Sequence, residues 1–164
     1  MNLLKVGITI KGYIAVLIIL VLVLLPKGAE FYSLASSYSD GEYCFYIDGE
    51  VDSALFTKVV KNGSDTIAYC SLIDVPSIIK EYRGKINGES FTLSGTKLTI
   101  GEIVTKLNAR VVSTGEVGGI YTVYLYTGRV NTPSVDLFGD KVNIQIALSG
   151  DKITVGYPII LGSY

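Results

Sequence analysis

The sequence contains no histidine and no tryptophan, and only two of its 164 residues are cysteines. Without histidine, the chain cannot use Ser-His-Asp or Cys-His catalysis or bind a metal through imidazole. An excess of one charge is also missing, because 14 basic side chains nearly balance 15 acidic ones. Since nucleic acids and anionic lipids attract proteins through clustered lysine and arginine, the composition indicates neither as a ligand. The length suits one domain with a short appendage.

Long apolar runs are missing except at the N-terminus, where every residue from Tyr13 to Leu25 is apolar. Lys5 and Lys11 precede this run, and Pro26 and Lys27 follow it. A transmembrane helix needs about 20 apolar residues, whereas the core of a signal peptide needs about 7–15. The run is therefore typical of an export signal, and an uncleaved membrane anchor is the alternative.

The segment after this run contains a candidate cleavage site. Signal peptidase requires small residues at the last and third-last positions before the cut, and Ala35 and Ser33 supply them. We therefore predict a signal peptide or membrane anchor with linker over residues 1–35 and a single exported domain over residues 36–164. The expected location is extracytoplasmic, either secreted or anchored to the cell membrane.

The same N-terminus allows a second interpretation. The sequence around Gly12, followed by apolar residues, resembles the processing site of type IV pilins and pseudopilins. That family usually carries glutamate at the position of Leu17, and its helices continue well beyond the membrane, whereas Pro26 interrupts this one. A pilin-like assembly subunit is therefore an alternative hypothesis for the whole chain.

Two short segments, 75–82 and 100–107, have the apolar spacing of helices with one buried face. The second begins with a capping box of Thr99 and Glu102, and Asn108 is suited to end it in the left-handed conformation. Helices this short, each with a single apolar stripe, are expected to lie on a sheet. Together with the strands below, they predict an α+β fold with two short helices on a mainly antiparallel sheet, preceded by an N-terminal apolar signal or anchor helix.

The strands are predicted from β-branched and aromatic residues bounded by glycine and aspartate. The clearest pair is a hairpin over residues 142–157 that turns at 149–151, with alternate residues buried. Its predicted buried set includes Ile144, Ile146, Ile153 and Val155. The other predicted strands cover residues 43–47, 66–72, 90–93, 110–113 and 120–126.

Several motifs in the second half of the chain resemble the YwmB family, which comprises exported proteins of spore-forming Gram-positive bacteria. They are GESFTLSG at 88–95, LNARVV at 107–112, KVNIQIA at 141–147 and the ending at 154–164. The resemblance covers about residues 65–164, and its motifs are structural rather than chemical. It implies an α+β cell-envelope protein without known catalysis and with a link to sporulation.

Two patterns could carry chemistry. Asp48, Glu50 and Asp52 alternate, so on a strand they would share a face and offer oxygen ligands to Ca²⁺, although a solvated strand edge explains them equally. Ser77 and Lys80 have the S-x-x-K spacing of Ser-Lys hydrolases, but no further motif of those enzymes follows. We therefore predict no metal, no cofactor and no catalytic residue.

Cys44 and Cys70 each lie in a predicted strand. In an oxidising compartment a possible disulfide between them would close a loop and stabilise the domain by about 3 kcal/mol. Two buried free thiols, behaving as small apolar residues, are the alternative.

Twelve tyrosines are the compositional excess of the chain. Tyrosine is favoured in strands, and where exposed it offers apolar area and a hydroxyl to a protein or carbohydrate. We therefore predict a non-catalytic envelope domain that binds an unidentified protein or cell-wall partner and no nucleic acid. A secreted hydrolase that uses carboxylates, or Ser77 with Lys80, is the alternative from a different class.

Overall fold

The computed structural model describes residues 29–38, 41–95, 98–130, 134–137 and 139–160. The predicted N-terminal apolar helix, with its export signal, lies outside these residues. None of the helices in the described ranges combines the length and the apolarity that crossing a bilayer requires.

The described chain forms short helices and ten strands. The α-helices are α1 (Ala29–Ala35), α2 (Val75–Glu81) and α3 (Ile100–Lys106), with a 3₁₀ turn at Ser53–Leu55. The strands are β1 (Gly41–Asp48), β2 (Lys58–Asn62), β3 (Asp65–Ser71), β4 (Ile86–Ser94), β5 (Arg110–Val117), β6 (Ile120–Tyr126), β7 (Val135–Leu137), β8 (Asp140–Val142), β9 (Ile144–Ser149) and β10 (Lys152–Tyr157).

Eight strands form one sheet in the order β2-β3-β1-β4-β10-β9-β6-β5, and β7 and β8 form a separate two-stranded ribbon. Every strand pair in the large sheet is antiparallel. The predicted α+β class, short helices with a mainly antiparallel sheet, is confirmed. Helix α1 and strands β2, β7 and β8 were not predicted from the sequence.

The large sheet has two different faces, because successive side chains of a strand point to opposite sides. The inner face packs with the three helices into one hydrophobic core. Its main buried residues are Tyr43, Phe45, Ile47, Phe91, Leu93, Val123, Leu125, Ile144, Ile146, Ile153, Val155 and Tyr157. The opposite, outer face carries the alternate residues of the same strands.

The capping box predicted for α3 is formed. The Thr99 hydroxyl oxygen accepts from the Glu102 backbone N–H at 3.2 Å, and the Thr99 N–H donates to the Glu102 carboxylate at 2.8 Å. Asn108 follows the helix with φ of 45°, the left-handed conformation that ends it. These contacts are local in sequence, which is why the motif predicted them.

The predicted C-terminal hairpin is also confirmed. Strands β9 and β10 pair with Ile153 opposite Leu148 and Val155 opposite Ile146, and the chain turns between Ser149 and Lys152. The predicted apolar residues of both strands face the core. Strand β9 also pairs with β6, so its inner side chains are enclosed by strands on both sides.

Helix α1 belongs to the same core. Phe31 and Ala35 are fully buried and Leu34 is 3% exposed, and all three pack with inner-face residues of the sheet. The folded unit therefore begins before the boundary predicted at residue 35. Sequence alone assigned this segment to the linker because its apolar residues follow the N-terminal run closely.

Replacing Ile146 by alanine should lower the free energy of unfolding by about 2–4 kcal/mol, because the side chain is fully buried and leaves a cavity. Denaturant unfolding measures this change. The matched control is Val117→Ala at a position that is 82% exposed, where the change should stay within about 0.5 kcal/mol. Equal losses in both variants would show that the register of β9 is wrong.

Candidate functional site

The acidic residues predicted as possible calcium ligands do not converge. Asp48 ends β1, and the exposed Glu50 carboxylate forms an ion pair with Lys61 at 2.6 Å. The Asp52 carboxylate caps the 3₁₀ turn by accepting from the Ala54 N–H at 3.0 Å. Within the described ranges, no group of three or more His, Cys, Asp or Glu side chains could hold a metal ion.

Ser77 and Lys80 both lie on helix α2 with their side chains exposed to solvent. A lysine that activates a serine must be withdrawn from water so that it can act as a base. The surroundings of Lys80 do not provide that withdrawal. The S-x-x-K spacing is therefore explained by the solvent-facing side of a helix whose other side, with Val75 and Ile78, is buried.

The two cysteines lie in neighbouring strands but on opposite faces of the sheet. Cys44 pairs with Tyr69, whereas Cys70 pairs with Tyr43, so the two thiols are one residue out of phase. Both cysteines are free and buried. Side chains that point apart cannot be bridged without movement of the backbone, so this register favours two buried free thiols over the possible disulfide. Burial raises the pKa of both thiols to about 12, which keeps them protonated.

Titration of the protein unfolded without reductant should therefore find two reactive thiols per chain. The expectation follows from the register of β1 and β3, which keeps Cys44 and Cys70 on different faces. A sample first treated with reductant gives the reference count. Zero thiols before reduction and two after it would show that the strands pair in another register.

The most unusual side chain of the inner face is Glu89, in β4. Its side chain is 1% exposed, and no other Asp, Glu, Lys or Arg is among the described buried residues. The Tyr43 hydroxyl donates to its Oε2, and the Tyr157 hydroxyl donates to its Oε1. Neighbouring strands place these groups, because Glu89 lies opposite Tyr157 in β10 and opposite Phe45 in β1. Tyr43 is two residues from Phe45 and therefore on the same face of β1.

Aromatic rings enclose this cluster of Glu89, Tyr43 and Tyr157, which we call the carboxyl cluster. The Phe31 ring of helix α1 meets the Tyr157 ring edge-on at 4.7 Å between centroids and the Tyr43 ring at 6.3 Å. Phe91 lies 5.1 Å from Phe31. The cluster is therefore polar at its centre and aromatic around it.

Burial raises the pKa of Glu89 to about 7, while the hydrogen bonds from Tyr157 and Tyr43 oppose that rise. Burial, followed by the proximity of Glu89, raises the pKa of both tyrosines above the ordinary value. A carboxyl in such a place takes up or releases a proton near neutral pH. Perturbed groups of this kind mark functional sites more often than surface carboxylates do.

Glu89 was not among the residues singled out from the sequence. It lies in the GESFTLSG motif and is one of the 15 acidic residues of the chain. The signal that could have identified it is its period-2 spacing with Phe91 and Leu93, which places the carboxyl on the apolar face of its strand. Its two tyrosine partners are 46 and 68 residues away in sequence, so no local pattern reveals them.

The outer face holds a second set of polar groups. The hydroxyls of Tyr46 and Ser90 lie 3.1 Å apart, and those of Thr92 and Thr154 lie 2.9 Å apart. After β10, the chain returns over this face, where the Ile160 N–H donates to the Gln145 side chain at 2.9 Å.

Glycine permits this close approach of the C-terminal residues. A Cβ at Gly156 would lie 2.8 Å from the Ile160 side chain, so a larger residue would push the returning chain away from the sheet. Half-buried tyrosines flank the covered centre. Tyr69 lies beneath the Lys58 ammonium at 5.1 Å, and Tyr126 beneath the Arg110 guanidinium at 5.5 Å.

No protein-family model, no curated protein and no solved structure matches this chain.

The free energy of unfolding should fall as pH rises from about 5 to about 7. The folded-state pKa of Glu89 lies above its ordinary value of 4.5, so between the two values the folded protein binds more protons than the unfolded chain. The contribution of one such group is about 1.4 kcal/mol per pH unit. Denaturant unfolding across this pH range measures it.

The variant Glu89→Gln should remove this slope, because an amide does not titrate. Glu81→Gln, at an exposed position on α2, is the matched control and should keep the wild-type profile. An unchanged slope in Glu89→Gln would assign the pH dependence to other groups.

Proposed function

We propose that the chain is a non-catalytic, extracytoplasmic domain that its N-terminal apolar segment tethers to the membrane, and that it acts by binding a protein or cell-wall partner. The proposal includes membership of the YwmB-like proteins and the link to sporulation that this resemblance implies. The observation that carries it is the packing of helix α1 into the core, directly after the lysine-flanked apolar run.

Helix α1 begins at Ala29, only four positions after Leu25. Cleavage at the candidate site after Ala35 would remove Phe31 and Leu34 from the core. Truncating one buried phenylalanine costs about 3–5 kcal/mol, which is comparable to the whole stability of many domains. This cost favours a chain that keeps α1, and with it the apolar segment as an anchor.

The outer face supports a role in binding. Its half-buried tyrosines on both flanks, Tyr69 on one side and Tyr124 and Tyr126 on the other, offer flat apolar area with hydroxyls. Among the described carboxyls, Glu89 has the strongly raised pKa, and it is enclosed on the inner face, where a substrate would have to displace α1. These features favour surface recognition over hydrolysis.

The tether is tested by fractionation of cells and mass spectrometry of the mature N-terminus. The chain should stay with the membrane after a carbonate wash and should begin upstream of residue 29. A C-terminal reporter that is active only outside the membrane should be active. A soluble product beginning at Ser36 would contradict the proposal, and one beginning at Tyr13 would favour the pilin-like alternative.

Two double variants of the apolar run test whether its apolarity anchors the chain to the membrane. Leu20→Arg with Leu22→Arg places two charges in the apolar run, and each costs about 2.5–3.5 kcal/mol at the centre of a membrane helix. This variant should lose its membrane association. Leu20→Ile with Leu22→Ile preserves apolarity and should behave as the wild type.

Binding is tested by cosedimentation of the purified chain with isolated cell walls and with membranes stripped of their own copy. Tyr124→Ala with Tyr126→Ala should weaken the sedimentation at least several-fold, because it removes most of the aromatic area of one flank. Leu55→Ala, at a 44% exposed position away from these tyrosines, should leave it unchanged. Equal sedimentation of both variants would exclude this flank as the binding surface.

A further inference from the structure

We propose that helix α1 is a proton-controlled latch: it closes over the carboxyl cluster while Glu89 is protonated and opens when that carboxyl is ionised. The inference goes beyond the proposed function, because it concerns how the first element of the fold is held rather than where the protein acts. It does not depend on the identity of a partner.

The position of Phe31 connects the helix to the carboxyl cluster. Its ring packs against the rings of Tyr157 and Tyr43, and both of these tyrosines donate a hydrogen bond to Glu89. Water can reach the carboxyl only if one of these three rings moves. The Phe31 ring belongs to a helix, whereas the two tyrosine rings belong to strands.

Helix α1 is attached to the sheet by side-chain packing. The hydrogen bonds described for residues 32–38 join them to one another, for example the Ser36 N–H to the Tyr32 carbonyl at 2.8 Å. A seven-residue helix is not stable by itself in water, so packing holds it in place. Strands β1, β4 and β10, in contrast, each pair with a neighbour on both sides. Opening of α1 therefore lets water reach Glu89 without breaking the pairing of these strands.

The groups around Glu89 leave its charge uncompensated. Strand β1 contributes Tyr43 and β10 contributes Tyr157, while β3 contributes the Cys70 thiol next to Tyr43, and none of these groups is cationic. Helix α2 uses the Tyr82 hydroxyl to accept from the Asp52 N–H.

Two further helix side chains contact aromatic rings rather than the Glu89 carboxyl. Lys106 of α3 lies over the Tyr38 ring at 5.4 Å, and Tyr32 of α1 packs against the Tyr43 ring. An ionised Glu89 would therefore have only two hydroxyl donors, whereas in the open state it would be hydrated. Ionisation consequently favours opening.

The difference in Glu89 pKa between the closed and open states sets how strongly the opening of α1 depends on pH. If the carboxyl is hydrated in the open state and enclosed in the closed state, the opening constant rises about tenfold per pH unit between pH 5 and 7. Above that range the constant stays level, because both states are then ionised. The strands remain paired in the open state, so the amides of the sheet should stay better protected than those of α1.

Hydrogen exchange of the full-length chain in detergent micelles, followed by mass spectrometry, tests the latch. After correction for intrinsic exchange rates, the protection of amides at residues 33–36 should fall about tenfold per pH unit from pH 5 to 7. The β9 amides exchange only through global unfolding, so they should stay better protected than the α1 amides at every pH. A flat profile for α1, or α1 protection equal to that of β9 throughout the range, would overturn the proposal.

Three variants complete the test. Glu89→Gln should make the protection of α1 independent of pH, while Phe31→Ala should abolish that protection at every pH and leave β9 protected. Tyr157→Phe keeps the ring but removes one donor to the carboxylate, so the fall should extend to higher pH. This last variant keeps the proposal testable if Glu89→Gln does not fold, and a fall that ends at lower pH would contradict it.

Discussion

The contact on which the rest of the fold depends is the one between the Glu89 carboxyl and the hydroxyls of Tyr43 and Tyr157. It joins β1, β4 and β10 on the inner face through side chains, in addition to the backbone ladder. Removing a carboxyl from water costs least when the group is neutral, and the two tyrosine hydrogen bonds offset part of the cost that remains. The aromatic rings around the cluster complete the enclosure, and Phe31 of helix α1 is among them.

What could be predicted from the sequence was local. The capping box at Thr99 and the alternation over residues 142–157 each specify structure through neighbours a few positions apart, and both were correct. Strand β2 has five residues, most of them exposed, and no alternation of apolar and polar residues, so it was not predicted. The carboxyl cluster depends on strand order, which brings together residues far apart in sequence. The same holds for Cys44 and Cys70, because a register difference of one residue decides whether they share a face.

Helix α1 has two roles in this account. As part of the core it covers the carboxyl cluster, and in the proposed arrangement it is also the first structured element after the membrane segment. If ionisation of Glu89 opened α1, the connection between the sheet and the membrane segment would therefore change. The outer face, with its tyrosine flanks and returning C-terminal residues, lies on the other side of the sheet, so in the proposed arrangement α1 does not cover it.

The central claim is that the Glu89 carboxyl is enclosed and titrates near neutral pH. The most direct measurement is the ¹³C chemical shift of its side-chain carboxyl carbon as a function of pH, assigned by comparison with Glu89→Gln. The account predicts a midpoint near pH 7, because burial raises the pKa of this group to about that value. A midpoint near the ordinary value of 4.5 would show that water already reaches the carboxyl in the folded protein, and it would contradict both the enclosed cluster and the latch built on it.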